Sequence, residues 1–292
     1  MFTKEYMGTT GKDFDTTYAP TWCPGCGNYA ILNAIKAALA DLDLKNHEVA
    51  ISYGIGCAGN MNNLIKTYGI HTLHGRSLPV AEGIKLSNRK LKVIAIAGDG
   101  DAFGIGANHF IQLARRNIDV TYIVCDNHRY SLTTGQTSPT TDLGDKTKTS
   151  LYGNIEEPFN PLTLALASDG SFVSRGFAGM APVKLKNLIK EAINHKGFSL
   201  VDVLLPCVTF NDLNTFPWYI KRVYELDATK YRPNDRNKAF VKAQEWGDKI
   251  PLGVFYKSDR LTYEDQQPQL TKELVDQDLH ISNLSQLMDE FV

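Results

Sequence analysis

The 292-residue sequence has no apolar run long enough to cross a bilayer and no excess of charge of either sign. Its first 17 residues are polar and lack the apolar core of a signal peptide. The formal net charge is −1, with 31 lysines and arginines against 32 aspartates and glutamates, so the chain has no basic field to attract nucleic acid. We therefore expect a soluble, cytoplasmic protein that binds neither membranes nor nucleic acid.

Cysteine is scarce as well: the chain has five. Without a secretory signal, so few cysteines argue against a disulfide framework and for metal or thiol chemistry. Cys23 and Cys26 form a C-x-x-C pair, Cys57 lies in a glycine-rich segment, and Cys207 follows a proline. The pair could be half a zinc site, a redox dithiol or half an iron–sulfur cage. A dithiol would not need the other two cysteines, but zinc and a cluster both take four sulfurs. Cys125, inside an apolar segment, is predicted to be a buried, inert thiol.

Apolar and amphipathic segments alternate along most of the chain. Two apolar runs, residues 93–97 and 120–125, predict buried parallel strands, and a helix is predicted between them from the three- and four-residue spacing of apolar residues from Phe103 to Ala114. Other strands are predicted at residues 49–53, 172–175 and 199–205, and other helices at residues 28–41, 80–86, 162–167 and 182–195. This alternation is typical of an α/β fold with a doubly wound parallel sheet.

The composition divides the chain into three parts. Residues 1–17 predict a poorly structured N-terminal arm, and residues 18–215 carry the strand–helix alternation. From residue 216 to 292 the chain becomes aromatic and charged, which predicts a C-terminal extension packed on its own domain or on a partner subunit. Its last thirty or so residues have the spacing of an amphipathic helix. Residues 133–160 form a long loop, which is typical of a functional segment.

Polar residues follow two neighbouring strands of the predicted sheet. Asp99 stands between two glycines after one strand, and Asn127 ends the next. Ligands of open α/β sheets bind at this carboxyl edge. Carboxylate and amide oxygens suit Mg²⁺, and Gly100 with the helix start behind it offers N–H groups to a diphosphate. Gly-Asp-Gly alone is also typical of an ordinary strand-to-helix turn. Cys57 and Cys207 follow predicted strand ends too, which favours an electron-carrying cluster over a remote zinc.

Several motifs carry a family resemblance over roughly residues 18–215. Gly98-Asp99-Gly100 followed by Asn127 resembles the thiamine-diphosphate signature. The text from residue 126 to 140, D-N-x-x-Y-x-x-T-x-G-Q-x-S-P-T, is similar to the corresponding loop of 2-oxoacid:ferredoxin oxidoreductase β subunits. T-W-C-P-G-C-G at residues 21–27, G-I-G-C at 54–57, H-G-R at 74–76 and P-C at 206–207 resemble the same family.

The resemblance implies a fold of the thiamine-diphosphate-binding type and a CoA-dependent oxidative decarboxylation of a 2-oxoacid to acyl-CoA and CO₂. Electrons would pass through one [4Fe–4S] cluster to ferredoxin. It implies cluster ligands at Cys23, Cys26, Cys57 and Cys207. It implies magnesium ligands at Asp99, Asn127 and the carbonyl of Arg129. The cofactor would be lined by Ile55, Gly56, Cys57, Ala58, His74, Gly100, Asp101, Ser131 and Leu132.

The predicted substrate pocket contains Asn60, Leu132 and Thr134. Two features of this pocket differ from the sequences that are common in the family. Residues 132–135 differ from many relatives, which would alter the pocket floor. Asn60 stands where some relatives have a lysine suited to a second substrate carboxylate. We therefore hypothesise a preference for pyruvate or other short 2-oxoacids, with 2-oxoglutarate tolerated.

Nothing in the chain resembles the second domain that supplies the activating glutamate in thiamine enzymes. We therefore expect an obligate α subunit that contributes this glutamate and much of the 2-oxoacid and coenzyme A site. Two alternatives stay open. A non-redox thiamine-diphosphate decarboxylase or carboligase would keep Asp99 and Asn127 but would need no cysteines. A non-catalytic module stapled by zinc would have no use for a glycine-bracketed Asp99.

Overall fold

The computed structural model describes residues 9–278 and 284–289, which form an eight-stranded sheet with helices on both faces. The strands are β1 (Val49–Tyr53), β2 (Tyr68–His71), β3 (Lys92–Gly98), β4 (Thr121–Asp126), β5 (Phe172–Phe177), β6 (Ser199–Leu204), β7 (Val223–Glu225) and β8 (Ile250–Lys257). Their order in the sheet is β2-β1-β3-β4-β6-β5-β8-β7. All pairs are parallel except β5 with β8, which is antiparallel.

The described helices are α1 (Asn28–Asp41), α2 (Ser77–Ser87), α3 (Ala107–Arg116), α4 (Pro161–Ala167), α5 (Pro182–Asn194), α6 (Phe216–Ile220), α7 (Arg236–Ala243) and α8 (Ser285–Met288). α1 and α5 bury their apolar stripes in one core, and α2, α3, α4 and α7 contribute to a second core. Because helices cover both faces, the central strands β4, β5 and β6 are buried throughout, as their apolar sequences predict. The predicted doubly wound sheet is confirmed. None of the described helices combines the length and apolarity that a membrane span requires.

The turn after β3 differs from the prediction. The predicted helix begins near Phe103, whereas Gly100–Ile105 is a π-helical turn and α3 starts at Ala107. The wide turn closes when the Gly106 N–H donates to the Asp101 carbonyl at 3.0 Å. Apolar spacing cannot distinguish the two helix types, and π-turns are frequent at functional sites.

β2 was missed because its four residues are exposed, so it lacks the pattern of a buried strand. The arm also differs from the prediction. Residues 1–8 lie outside the described residues, but Gly11–Phe14 forms a 3₁₀ helix and Phe14 is fully buried in the core beside α1. One aromatic side chain thus anchors a polar segment.

The C-terminal extension packs on its own domain, because β8 pairs with β5 and continues the sheet. The predicted C-terminal helix is not present in the described part of that segment, where Leu274–Asp276 is a 3₁₀ turn and α8 is one short turn. Residues 279–283 lie outside the described residues. Tertiary contacts hold this segment instead, because Glu273 accepts hydrogen bonds from the Arg89 N–H and the Arg89 side chain at 2.7 and 3.1 Å.

The sheet has a topological switch between β1 and β3. After β1 the chain turns towards β2, and after β3 it crosses to β4 on the other side. The connections therefore diverge at the carboxyl ends of these strands and leave a crevice, which is where α/β proteins bind ligands.

Candidate active site

The crevice holds a cavity of about 70 Å³, here called the Asp99 cavity. It brings together every residue predicted for the cofactor and magnesium. Its walls include Ile55, Gly56, Cys57, Ala58, His74, Asp99, Gly100, Asp101, Asn127, Arg129, Ser131 and Leu132. These residues come from the connections after β1, β2, β3 and β4, so the fold collects them from four separate parts of the chain.

The Asp99 carboxylate is held by neutral donors. Its Oδ2 accepts bonds from the Ser138 and Thr140 hydroxyls at 2.5 and 2.8 Å, and its Oδ1 accepts the Asn127 N–H at 3.4 Å. The residue is 1% exposed, and burial raises the pKa of its carboxyl. No described cation forms a salt bridge with it, so an ionised Asp99 would be stabilised by a bound cation.

Asn127 and Arg129 form a turn fixed by buried polar contacts. The Arg129 N–H donates to Asn127 Oδ1 at 3.0 Å, which places the amide oxygen beside the backbone of residue 129. The Arg129 guanidinium pairs with Asp145 at 2.5 Å and donates to the His128 carbonyl at 2.8 Å. The long loop therefore anchors the turn that carries two of the three predicted magnesium ligands, Asn127 and Arg129.

Two glycines shape the walls of the cavity in different ways. Gly56 has a φ of +125°, and a Cβ there would meet no atom within 4 Å, so this backbone faces open space. A Cβ at Gly100 would overlap the Tyr130 ring, whose hydroxyl donates to the Gly100 carbonyl at 3.1 Å. A ligand can therefore approach the backbone closely at Gly56, whereas at Gly100 glycine is required because the Tyr130 ring packs against the backbone.

A second cavity of about 220 Å³, the cysteine cavity, adjoins the first. Its walls include Cys23, Cys26, Cys57 and Cys207. Four residues line both cavities: Cys57, Asn127, Ser131 and Leu132. The predicted cluster ligands and the predicted magnesium ligands therefore lie at the same edge of the sheet.

All five cysteines are free thiols, from the exposed Cys23 to the buried Cys207. The Cys26 N–H donates to the Cys23 carbonyl at 3.1 Å, and Gly25 between them has a φ of +81°. Burial and the neighbouring cysteines raise the pKa of Cys57 to about 12, and burial raises that of Cys26. Thiolates here would need a bound metal to replace their protons. Cys125 is 1% exposed, in the wall of the Asp99 cavity.

Within residues 9–278 and 284–289, no three His, Cys, Asp or Glu side chains are grouped so that they could hold a single metal ion. The predicted magnesium set contains one such residue, Asp99, because its other members are an amide and a backbone carbonyl. Amide and carbonyl oxygens are normal ligands of hard cations.

The predicted substrate residues separate in the structure. Asn60 and Leu132 line the cysteine cavity, whereas Thr134, with a φ of +87°, is not in the described walls of either cavity. Sequence reasoning did not assign Tyr130, Ser138 and Thr140 to the site, although they belong to the motif at residues 126–140. That motif was the available signal, but only the folded loop shows that Ser138 and Thr140 bond Asp99.

A third cavity of about 160 Å³, the Arg175 cavity, lies farther along the same edge. Arg175 pairs with Asp202 at 3.2 Å and its guanidinium lies over the rings of Trp246 and Phe255. Asp126 and His128 also line this cavity. The pKa of Asp202 is raised to about 7, mainly by burial and next by the neighbouring Asp126 carboxyl, although the Arg175 guanidinium lowers it.

Two families match the chain. The family described as "Thiamine pyrophosphate enzyme, C-terminal TPP binding domain" matches residues 46–203. The family of the C-terminal region of pyruvate ferredoxin oxidoreductase β subunits matches residues 207–272. The first match spans the strands that form the Asp99 cavity. The second spans most of the C-terminal extension.

Individual relatives agree with these families. The chain is 48% identical over 251 residues to a 2-oxoacid:ferredoxin oxidoreductase subunit beta of Sulfolobus sp., covering 82% of both chains. It is 45% identical over 244 residues to the 2-oxoglutarate synthase subunit KorB of Archaeoglobus fulgidus, covering 83% of this chain and 86% of that one.

A solved 2-oxoglutarate:ferredoxin oxidoreductase from Magnetococcus marinus, with 2-oxoglutarate, coenzyme A and succinyl-CoA bound, superposes with a TM-score of 0.89. Its identity is 34%, and the match covers 97% of this chain and 96% of that one. The chain therefore belongs to the β subunits of the 2-oxoacid:ferredoxin oxidoreductases, enzymes that act as complexes of subunits.

Proposed function

We propose that this chain binds thiamine diphosphate with Mg²⁺ in the Asp99 cavity and one [4Fe–4S] cluster in the cysteine cavity. The observation that carries the proposal is the shared wall: Cys57 and Asn127 line both cavities, so a cluster ligand and a magnesium ligand are neighbours. Electrons could then pass from the cofactor to the cluster within one chain.

The residues of the two cavities would have distinct roles. Asp99, Asn127 and the carbonyl of Arg129 would hold Mg²⁺, with Ser138 and Thr140 orienting the Asp99 carboxylate. Gly100 would offer its N–H to the diphosphate, and the predicted lining residues would form the wall of the cofactor site. Cys23, Cys26, Cys57 and Cys207 would hold the cluster. When bound, thiamine diphosphate supplies the carbanion-stabilising chemistry by which a 2-oxoacid loses CO₂.

A partner chain completes the site in this proposal. The Asp99 cavity, at about 70 Å³, is far smaller than the roughly 300–1,000 Å³ of ordinary small-molecule pockets. Leu132, in its wall, is 54% exposed. We infer that this face is covered by an α subunit, which supplies the activating glutamate and shares the coenzyme A site, and that ferredoxin accepts the electrons. A β chain that alone oxidised 2-oxoacids at the rate of the complex would contradict this inference.

The proposed substrates are pyruvate and other short 2-oxoacids. Asn60 is a neutral side chain in the wall of the cysteine cavity, so it cannot form an ion pair with a second substrate carboxylate. Because some relatives carry the name 2-oxoglutarate synthase, 2-oxoglutarate is the decisive competitor. Comparison of kcat/KM for the two acids should favour pyruvate, and a higher value for 2-oxoglutarate would refute the preference.

Anaerobic purification of the αβ complex tests the two cofactors. We expect bound thiamine diphosphate, magnesium, and iron with inorganic sulfide in a brown protein. Cys57→Ser and Cys207→Ser should lose most of the iron, whereas Cys125→Ser should keep it, because Cys125 is absent from the described walls of the cysteine cavity. Zinc in place of iron would support a stapled module, and a colourless protein with thiamine diphosphate would support a non-redox enzyme.

A further inference from the structure

One buried carboxylate joins three of the connections around the Asp99 cavity. Asp101 lies in the π-helical turn after β3 and is 2% exposed. Its Oδ1 accepts the N–H of Ile55, after β1, and the N–H of Gly75, after β2, both at 2.9 Å. Bonds from N–H groups to a carboxylate are among the stronger hydrogen bonds of proteins. The oxygen therefore links loops that no strand pairing holds at these positions.

The loops are shaped to reach this carboxylate. A Cβ at Gly54 would overlap Asp101 Oδ2, so only glycine lets the β1 connection pass so close. Gly75 has a φ of +71°, and a Cβ there would lie 2.7 Å from Ile105 in the same π-helical turn. The contact thus requires glycine on both connections, which is a stronger constraint than a hydrogen bond alone.

The same carboxylate faces His74. The His74 Nδ1 atom lies 3.5 Å from Asp101 Oδ1, is buried and has no hydrogen-bond partner among the described residues. The His74 side chain as a whole is 35% exposed. The ring therefore turns its Nδ1 edge towards Asp101 and leaves its other edge accessible.

We propose that Asp101 is a positioning residue of the thiamine-diphosphate site, which fixes the backbone of residues 55–58 and the ring of His74 for contact with the cofactor. This inference rests on the proposed function. Asp101 acts through these groups, because both of its carboxylate oxygens are enclosed by the three connections. Without the Asp101 carboxylate, cofactor binding would have to order the backbone of residues 55–58 and the His74 ring, and the affinity would fall.

The test compares two substitutions on opposite sides of one contact, in the reconstituted αβ complex. Asp101→Ala removes the carboxylate, and Gly54→Ala adds a methyl group that pushes it away without changing its charge. Dissociation constants for thiamine diphosphate are measured at saturating Mg²⁺, with kcat, the KM for the 2-oxoacid and the melting temperature of the cofactor-free complex. Loss of supporting partners typically weakens a site about 10–100-fold, and we expect each variant to weaken cofactor affinity by that factor with little change in the KM.

The double variant distinguishes positioning from general damage. The space left by Asp101→Ala can accept the new methyl group, so Asp101→Ala/Gly54→Ala should bind the cofactor no more weakly than Asp101→Ala. Residues in contact give such non-additive effects, whereas independent sites add. Asp101→Asn, which keeps the shape and one acceptor oxygen, should restore part of the affinity and provides a variant should Asp101→Ala fail to fold.

Asp119→Ala is the matched control. Asp119 also accepts a backbone N–H, from Gly197 at 3.1 Å, and pairs with Lys85 at 2.6 Å, but it precedes β4 at the opposite edge of the sheet. Its removal should lower the melting temperature and leave cofactor affinity unchanged. Equal cofactor affinity in Asp101→Ala and wild type, or simple addition of the two effects, would refute the positioning role alone. A wild-type complex that binds no thiamine diphosphate would refute the proposed function and this inference with it.

Discussion

The Asp99 cavity and the Arg175 cavity lie on one edge of the sheet and both contain buried carboxylates, but their carboxylates have different partners. Asp99 accepts bonds from hydroxyls and a backbone N–H. Asp202 has a guanidinium of the same chain beside it. A buried carboxylate with only neutral donors is suited to a cation from outside, whereas an internal ion pair is already largely compensated. The comparison explains why Asp99, rather than Asp202, is the candidate metal ligand.

One hydroxyl connects the two regions. Thr140 Oγ1 lies 2.8 Å from Asp99 Oδ2 and 2.8 Å from Asp126 Oδ1, and Asp126 lines the Arg175 cavity. A hydroxyl has one hydrogen, so it donates to one carboxylate at a time. Its position makes Thr140 the point where a change in one cavity would reach the other.

The largest expected effect is a loss of folding stability when the ion pair of the Arg175 cavity is broken. Arg175→Met leaves Asp202 buried without its partner, which typically costs about 3–5 kcal/mol. Adding Asp202→Leu should recover most of this loss, because a buried ion pair replaced by apolar residues is often neutral. Denaturant unfolding at pH 8 measures both variants. Failure of the double variant to recover would show that the Arg175 cavity needs its charges.

An Asp→Asn substitution in each cavity should have different effects on the affinity for thiamine diphosphate. Asp99→Asn removes a proposed magnesium ligand, so the affinity for thiamine diphosphate with Mg²⁺ should fall by more than the roughly 10–100-fold seen when an outer partner is lost. Asp202→Asn should change it little. Calorimetric titration of the αβ complex checks both, and equal losses would contradict the distinction between the cavities.

A smaller effect is expected at the connecting hydroxyl. Thr140→Val keeps the volume but removes the donor to Asp99, and we expect an affinity loss of about 10-fold for the cofactor with Mg²⁺. Thr140→Ser keeps the hydroxyl and is the control. If Thr140→Ser binds as weakly as Thr140→Val, packing of the methyl group rather than the hydroxyl is responsible.

The last prediction is a pH dependence of stability that comes from the Arg175 cavity, and its effect on the unfolding free energy is small for each pH unit. The pKa of Asp202 is about 7 in the folded protein, above the roughly 3.9 of an unfolded aspartate. Because the folded value is raised, this contribution to stability is complete below about pH 4 and is lost as the pH rises to about 7. A single group changes the unfolding free energy by at most about 1.4 kcal/mol per pH unit. Urea unfolding between pH 4 and 7 should show a slope that is smaller in Asp202→Asn than in the wild type by up to about 1.4 kcal/mol per pH unit. The difference reports Asp202 alone, because Asp99, whose carboxyl pKa is also raised, is present in both proteins.

The sequence predicted local features well and contacts poorly. Long buried strands such as β3 and β4 were recognised because helices on both faces require continuous apolar runs. The exposed strand β2 and the π-helical turn were missed, since neither has a distinct apolar period. The anchoring of Phe14 was missed for another reason: one buried aromatic in a polar segment gives no periodic signal.

By itself, the sequence determined the fold class, the two sets of candidate ligands and the edge of the sheet at which they meet. The fold class and the shared edge depend on the apolar pattern and on the rule that parallel strands end at one edge, and both can be read along the chain. The full ligand sets, including the Arg129 carbonyl, also depended on the family resemblance of the motifs. Only the tertiary structure decided that Cys57 lines both cavities, that Ser138 and Thr140 bond Asp99, and that Asp101 joins three connections. Hydrogen bonds between residues 26 to 46 positions apart depend on how loops pack, and local spacing does not encode that packing.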